Sequence, residues 1–436
     1  MSTQVEGLLK LVSPCVGVIR SLVRVRRSAE EPSPPIIYQA LLSHFDFKKA
    51  PLLERAAAGK GVTDSEAIGA AIGEALERYC ASHPDVRTCR RATWATAEPQ
   101  TISPVECVLY SERQYARRDF PYQRWDEQTE MVWLPVRELP SDREAFVPAS
   151  LIYLNYPGER PEEYLCPPTS NGLAAGPDLE SAIRHGLYEL IERDAFLISW
   201  MNKLPVPEVD FSDVGGVAGS LCAHYQRFGV ETRVFNLATD LPVYVMMGIS
   251  FDQTGQGPAA LIGLGAHPDP AVALTKALFE ICQVRPGMKR KYAEESPGKR
   301  LRAYADVRTL EDHAAFFTLP ERLQELAFLL KHGRTQRLAD LPNHARGSVQ
   351  ADLEACVHAL RRVHCRVIYA DLTTPDVRDC GIRVVRTLAT GLQPMHFGYG
   401  EERLGGRRLY EVPQQLGYAA ELTHEQSLNP CPHPLA

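Results

Sequence analysis

The sequence of 436 residues predicts an α+β fold, with antiparallel or mixed sheets flanked by helices. Three observations predict it. Strand-like and helical stretches intermix without the strict strand–helix alternation of a doubly wound parallel sheet. Helical periodicity recurs in long, separated windows, with short apolar runs bounded by turn residues between them. A hydrophobic content of 44% beside 23% charged residues suits a globular chain that buries a sizeable core, in one large domain or two.

Taken in order, residues 1–55 mix short apolar runs with the exposed, proline-rich "EEPSPP" (Glu30–Pro35). This segment is expected to pack on a main domain spanning 56–436. From Thr63 to Ser82, apolar residues at three-to-four spacing follow Thr63 or Asp64 as N-cap and predict a helix. Residues 100–165 hold the strand-like pieces "MVWLPV" and "AFVPASLIYL" among many turn residues. The small-residue loop "TSNGLAAG" (Thr169–Gly176) leads into a second helix, about Asp178 to Trp200. Strands follow at "TRVFNLA" and "PVYVMMGISF", and after "ALIGLGAHPDP" a third helix runs from about Ala271 to Val284. Residues 300–345 are charged and helix-prone, a helical insertion or cap. The amphipathic helix "SVQADLEACVHALRRV" precedes the strands "CRVIYADL" and "IRVVRTLA". In the tail "LNPCPHPLA", Pro430, Pro432 and Pro434 alternate, which excludes regular structure and predicts an extended end.

Composition narrows the function. A formal net charge of −6 argues against a protein that holds nucleic acid by bulk electrostatics. The basic run "RSLVRVRR" (Arg20–Arg27) reads as a solvated strand or helix face. Lys10, Pro14 and Arg20 interrupt the apolar N-terminus before about 20 residues accumulate, so no membrane span is expected. The parts of a secretory signal are missing too. The 11 cysteines are an odd count with no C-x-x-C, which disfavours a zinc site or disulfide framework and fits a reducing cytoplasm.

Three helices repeat one spelling. The first carries Glu74, Glu77 and Arg78, the second Glu189, Glu192 and Arg193, the third Glu280, Gln283 and Arg285. Residues three apart share a helix face, so each pair projects two oxygen-bearing side chains toward one point. A surface ion pair would spell the same way. The neighbours, however, are apolar: Ile72 and Leu76, Leu190 and Ile191, Leu278 and Ile281. Several carboxylates facing one cavity need cations, and hard divalent ions such as Mg²⁺ take oxygen ligands beside phosphate. Five glutamates almost without His or Cys disfavour zinc. The inference is a Mg²⁺–nucleotide site made by three separated helices. "SPGKR" and "GLGAHPDP" lack the remaining residues of phosphate or dinucleotide loops and are expected to be turns. "GKG" (Gly59–Gly61) places Lys60 near a helix N-terminus, where it can meet a phosphate.

The stretches "GKGVTDSEAIGAAIGEALERY", "TSNGLAAGPDLESAIRHGLYELIERDAF", "GLGAHPDPAVALTKALFEICQVR", "DLTTPDVRDCGIRVVRTLATGLQPMHFG" and "NPCPHPLA" together resemble the YcaO family of ATP-dependent enzymes that modify peptide backbones. They run in order from about residue 55 to the C-terminus. Carried over by motif, the resemblance implies a YcaO-type fold. Glu74, Glu77, Glu189, Glu192 and Glu280 would hold Mg²⁺; Lys60, Arg78, Asn171, Arg193 and Gln283 would bind ATP. Ala70 stands where a serine is common, which leaves one hydroxyl contact in doubt. The implied reaction is a cyclodehydration: Cys, Ser or Thr adds to a backbone carbonyl, ATP phosphorylates the amide oxygen, and phosphate leaves a thiazoline or oxazoline.

Alternating prolines at the end mark the azoline-forming members, so Pro430, Pro432 and Pro434 would thread the tail to the active site. There the Ala436 carboxylate or His433 would accept a proton. The resemblance also implies a ribosomally made precursor peptide as substrate. Only some 55 residues precede the first motif, so a separate leader-peptide-binding partner is expected. It admits a homodimer and a flavin dehydrogenase that later aromatises the rings. The competing readings are a thioamide- or amidine-forming member and a non-catalytic scaffold. The tail argues against the former and the intact glutamates against the latter.

Overall fold

In the computed structural model, residues 3–43, 56–97, 100–295, 300–331 and 333–435 are described. β1 (Ile19–Arg24), β2 (Ile36–Leu42) and β3 (Ala56–Gly61) form an antiparallel sheet in that order. β4 (Arg90–Ala92), β5 (Met131–Leu139), β6 (Arg143–Pro148) and β7 (Leu173–Gly176) belong to a second sheet. β8 (Glu208–Asp210), β9 (Val230–Asn236), β10 (Tyr244–Asp252), β11 (Ala260–His267) and β12 (Thr335–Arg337) form a third, ordered β11-β10-β9-β8-β12. β13 (Val367–Asp371) and β14 (Arg383–Ala389) complete the second as β4-β5-β13-β14-β7, with β6 on β5. Every ladder among the described residues is antiparallel except β12 on β8. The α+β class with antiparallel and mixed sheets is the one the sequence predicts.

Each sheet ends on a strand that runs directly into a long helix. α1 (Asp64–Ala81) follows β3, α2 (Leu179–Met201) follows β7, and α3 (Pro270–Glu295) follows β11. β3, β7 and β11 are all edge strands. Helix starts follow the local chemistry: the Thr63 side chain accepts from the Glu66 N–H, and Asp178 accepts from Ser181 at 2.7 Å. α1 and α2 match their expected bounds within a residue or so. α3 runs on beyond Val284, through Pro286, because Met288 is buried and Lys289 pairs with Glu30.

Close packing between these strands and helices depends on glycine. A Cβ at Gly59 would lie 2.0 Å from the Ala71 backbone nitrogen, and one at Gly263 would lie 2.4 Å from the Ala277 carbonyl. "GLG" is therefore strand β11 packed against α3, not the expected turn. "SPGKR" lies outside the described residues except for Arg300. "TSNGLAAG" is half strand, since Leu173–Gly176 pair with β14. The run "RSLVRVRR" is largely an exposed strand, with Val23 58% accessible. β2 pairs along β3, so the segment before residue 56 shares a sheet with the first strand of the main domain. Residues 300–345 differ from a peripheral cap: they contribute β12, short helical turns and the core residues Phe316, Phe317 and Leu326.

One buried charge network fixes α2 to the C-terminal region. Asp194, fully buried, meets Arg408 at 2.7 Å and accepts from the Gln393 N–H at 2.7 Å; Arg408 also reaches Asp240 at 2.6 Å. Removing one member strands the others in a dry interior. Asp194→Ala is expected to destabilise the protein by about 3–5 kcal/mol, read as a lowered midpoint in denaturant; an unchanged midpoint would refute the network's role.

Candidate functional site

The repeated glutamates work first as braces. Edge strands leave backbone N–H groups unpaired, and each site helix supplies a carboxylate to one. Glu74 accepts from the Ala58 N–H of β3 at 3.0 Å and Glu280 from Leu264 of β11 at 2.9 Å. Glu77 accepts from Ala175 of β7 at 2.7 Å, tying α1 to the second sheet, and Glu189 accepts from Gly172 at 3.1 Å. Each carboxylate keeps a further oxygen free of that bond.

Three sheets thereby deliver their acids to one neighbourhood. Glu77 is pushed well above the usual carboxylate range by burial first, then by Glu74, with Glu189 adding. Burial raises Glu189 against the pull of Arg193, with Glu280 opposing that pull. Burial also pushes Glu192 up to about 7, Arg193 working against it and Glu280 and Glu189 with it. The cluster lies in a recess rather than a sealed core, since the side chains of Glu192, Glu189 and Glu74 are 12%, 28% and 33% exposed. Burial thus disfavours the charged forms of Glu77, Glu189 and Glu192, and a cation among them would offset that cost.

Arg78 sits 2.6 Å from Glu74, and Arg193 lies 3.4 Å from Glu192 and 3.7 Å from Glu189. Asn171 is buried with its Oδ1 unpartnered, immediately before the Gly172 that Glu189 holds. Gln283 lines a recess of about 480 Å³ shared with Lys289, Arg290 and Ala58, the residue whose N–H Glu74 holds. Arg285, which completes the third spelling, points elsewhere: it is 3% exposed and pairs with Glu31 and Asp252 at 3.2 and 2.8 Å. Lys60 comes near Lys276, whose charge also acts on Glu192. Lys276 and Arg386, beside Glu189, are site residues that the sequence reading does not single out. Lys276 stands one turn before Glu280 on α3, and Arg386 is the lone charge amid the apolar "VVRTLA"; both are signals a closer reading could use.

A hard, all-oxygen donor set fits Mg²⁺. Among the described residues, no three acidic, histidine or cysteine side chains close on one point as a metal cage. Mg²⁺ commonly keeps waters and takes phosphate oxygens besides carboxylates, so the donors suit an ion bound together with a nucleotide. Asn171 Oδ1 has no hydrogen-bond partner among the described residues, and Arg193 Nη1 makes no hydrogen bond beyond its 3.4 Å ion pair with Glu192, so both would leave room for such a ligand.

The tail packs into the protein instead of hanging from it. Cys431, Pro432, His433, Pro434 and Leu435 are buried, while Pro430 is exposed and Ala436 lies outside the described residues. The Asn429 N–H donates to the Met201 carbonyl at 2.7 Å, and Trp200 Nε1 donates to the Cys431 carbonyl at 3.0 Å. His433 stacks on His313 with centroids 3.8 Å apart and planes 15° apart. Its Nε2 donates to the His396 carbonyl at 2.9 Å, while His313 Nδ1 donates to the His433 carbonyl at 2.7 Å. In the neutral ring the His433 Nδ1 is then a bare acceptor, and it has no partner among the described residues. Burial holds His433 well below the usual histidine range, with His313, His396 and Arg193 adding to the effect. His433 also packs edge-on against Phe196 at 5.8 Å, three residues beyond Arg193 on α2.

Carboxylates drawn from three sheets, opposed by arginines in a recess, define a metal–nucleotide enzyme on an α+β scaffold. The chain belongs to the YcaO family: the family model described as "YcaO cyclodehydratase, ATP-ad Mg2+-binding" matches residues 58–393. ATP and Mg²⁺ are the cofactors of that domain. An uncharacterised protein of Methanothermobacter thermautotrophicus is 30% identical over 80% of this chain and 84% of its own length. A heterocyclase solved with substrate and cofactor superposes with TM-score 0.83 at 29% identity, covering 100% of this chain and 57% of that one. The heterocyclase TruD superposes with TM-score 0.69 at 28% identity, over 84% and 50% of the two chains. The chain therefore spans about half the length of those heterocyclases. YcaO from Methanopyrus kandleri, at 24% identity and TM-score 0.63, shares the fold over 86% of each chain. No helix among the described residues is long and apolar enough to cross a membrane.

Proposed function

We propose that this YcaO protein is an ATP-dependent peptide cyclodehydratase that converts Cys, Ser or Thr residues of a ribosomally made precursor peptide to thiazolines or oxazolines. The observation that carries the reading is the tail: it is buried against the second site helix, with His433 packed on Phe196, three residues beyond Arg193, so that a peptide and a nucleotide could meet near its end. The likeness to two heterocyclases supports it. Glu74, Glu77, Glu189, Glu192 and Glu280 would hold Mg²⁺, which neutralises charge moving through the phosphates. Lys60, Arg78, Asn171, Arg193 and Gln283 would orient the nucleotide, and the basic side chain of Lys276 joins them.

Sulfur or oxygen of the nucleophile bonds to the carbonyl carbon, and the carbonyl π pair moves to oxygen. That oxygen takes the γ-phosphoryl group of ATP as ADP departs. Loss of the amide N–H proton then forms C=N and expels phosphate. The phosphorylated oxygen leaves readily where hydroxide would not, so the protein's task is positioning and charge compensation. The nucleophile's proton needs an acceptor. His433 Nδ1 is bare, but burial makes it a weak base; the terminal carboxylate of Ala436 suits the role better. Pro432 and Pro434 keep the approach stiff, with little ordering entropy to lose.

The recess would work in the cytoplasm with a separate leader-binding protein, and with a flavin dehydrogenase if the rings are later aromatised. Purified protein, partner, ATP, Mg²⁺ and a Cys/Ser/Thr-rich precursor should yield peptide lighter by one water per ring with matching phosphate release. Sulfide-dependent mass change without water loss would instead mark a thioamide-forming enzyme, and no change with intact nucleotide binding would mark a scaffold.

A further inference from the structure

The basic run that begins at Arg20 supplies β1, the outer strand of the first sheet. The inner side of β1 is in use. Ser21 to Arg24 pair along β2, and just past the strand the Val25 N–H donates to the Ile37 carbonyl at 2.9 Å. Alternation then turns the N–H and C=O of Leu22 and Arg24 away from β2. At Ile19 the outer side is taken: its N–H donates to the Leu11 carbonyl at 3.0 Å, and its carbonyl accepts from the Ser13 N–H at 2.9 Å. From Leu22 onward no strand covers that side among the described residues.

Sheets usually guard such an edge with proline, lysine or a covering element. β1 contains neither proline nor lysine, and Val23 stands 58% exposed, with Leu41 diagonally across on the same face at 37%. Its charges are arginines. In a chain of formal net charge −6, no acid stands between Arg20 and Arg27. Arg26 and Arg27 line the recess that holds Gln283, which leaves Arg20 and Arg24 to the edge. Arg20 makes no ion pair among the described residues, and Arg24 makes a loose one, 3.7 Å from a half-exposed Asp64.

We propose that the free edge of β1 docks an acidic, extended segment of a partner protein, added to the sheet as a fourth strand. The arginines decide against a second copy of this chain. A two-fold pairing centred on Leu22 sets Arg20 of each copy against Arg24 of the other, and one centred on Arg24 sets Arg24 against itself. Like charges directly opposite destabilise a sheet. Glutamates on alternate residues of a foreign strand would instead face Arg20 and Arg24, while its apolar residues cover Val23. Main-chain bonds supply the affinity, and the charges choose the partner. β1 lies two strand spacings, about 10 Å, from β3. Docking therefore leaves Lys60 on β3 and the acid cluster open, and it is independent of the cyclodehydratase reading.

Fluorescence anisotropy of the full chain with a labelled peptide, Gly-Glu-Val-Glu-Thr-Glu-Val-Gly, tests the edge. The peptide should bind with a Kd below about 1 mM, and its analogue with lysine at each glutamate should bind about tenfold more weakly or worse. Arg20→Glu combined with Arg24→Glu, both at exposed positions, should reverse that preference. The same glutamate peptide N-methylated throughout keeps its charges but loses its main-chain donors, and it should not bind. No binding, equal affinity for the lysine peptide, an unreversed preference in the double variant, or full affinity of the methylated peptide each overturns the proposal. Displacement by saturating ADP with Mg²⁺ overturns it too, because the peptide would then sit in the nucleotide recess. Sedimentation of the protein alone tests the remaining occupant. Leu22→Pro removes one outward N–H and spares the ladder with β2; a wild-type dimer that this variant dissociates would assign the edge to a second copy and overturn the acidic partner. No turnover is measured, so the edge and the cyclodehydratase reading stand or fall separately.

Discussion

Glu192→Gln is expected to lower ATP-dependent ring formation about a hundredfold or more, because one oxygen ligand with full charge is lost where phosphoryl charge develops. The same substitution changes a pH dependence. Burial, aided by Glu280 and Glu189, raises Glu192 to about 7 in the cation-free protein. Around neutrality the carboxyl therefore keeps part of its proton, and a bound cation must displace it. Affinity for Mg²⁺–nucleotide should rise as pH increases through about 7, with proton release visible as a buffer-dependent binding enthalpy. In Glu192→Gln that buffer dependence should shrink. Wild-type turnover together with undiminished proton release would end the assignment of Glu192 to the cation.

Deleting Pro430–Ala436 is expected to reduce heterocycle formation by about a hundredfold or more, while nucleotide binding stays within about threefold of wild type. The sign comes from where the tail docks. Its buried residues cover Trp200 and Phe196, which lie further along α2 than the acids, and the nucleotide residues come from other elements or from earlier turns of that helix. Deletion also uncovers apolar surface, so a second variant guards the conclusion. Removing only Leu435 and Ala436 leaves the His433 stack and the Asn429 anchors in place and takes away the terminal carboxylate. Full activity in this shorter deletion would refute the carboxylate's role, and full activity in both would refute the tail's.

Much of the site is legible in the sequence because it is spelled locally. Glu74 with Glu77, and Glu189 with Glu192, share a face by helical period alone, and Thr63 and Asp178 announce where α1 and α2 begin. The same local logic misleads at Arg285. Its place after Glu280 and Gln283 suggests a third copy of Arg78 and Arg193, but one further position along the helix turns it toward Glu31 and Asp252. "GLGAHPDP" misleads for a related reason: glycines signal turns in sequence, whereas at Gly263 the missing Cβ serves the contact of α3 with β11. Pro286 does not stop α3, because burial of Met288 and the Lys289–Glu30 pair outweigh one lost backbone bond.

By itself the sequence determined which residue types share a helix face, where two site helices start, that the tail cannot be regular, and through its motifs the family. These are properties of residues within one or two turns of each other, and bond geometry sets them. The fold alone decided that β3, β7 and β11 are edges whose free N–H groups seat the glutamates, that Lys276 and Arg386 join the cluster, and that His313 and His396 clasp His433. Those contacts link residues far apart in the sequence, so they depend on how whole layers pack, which no local period encodes.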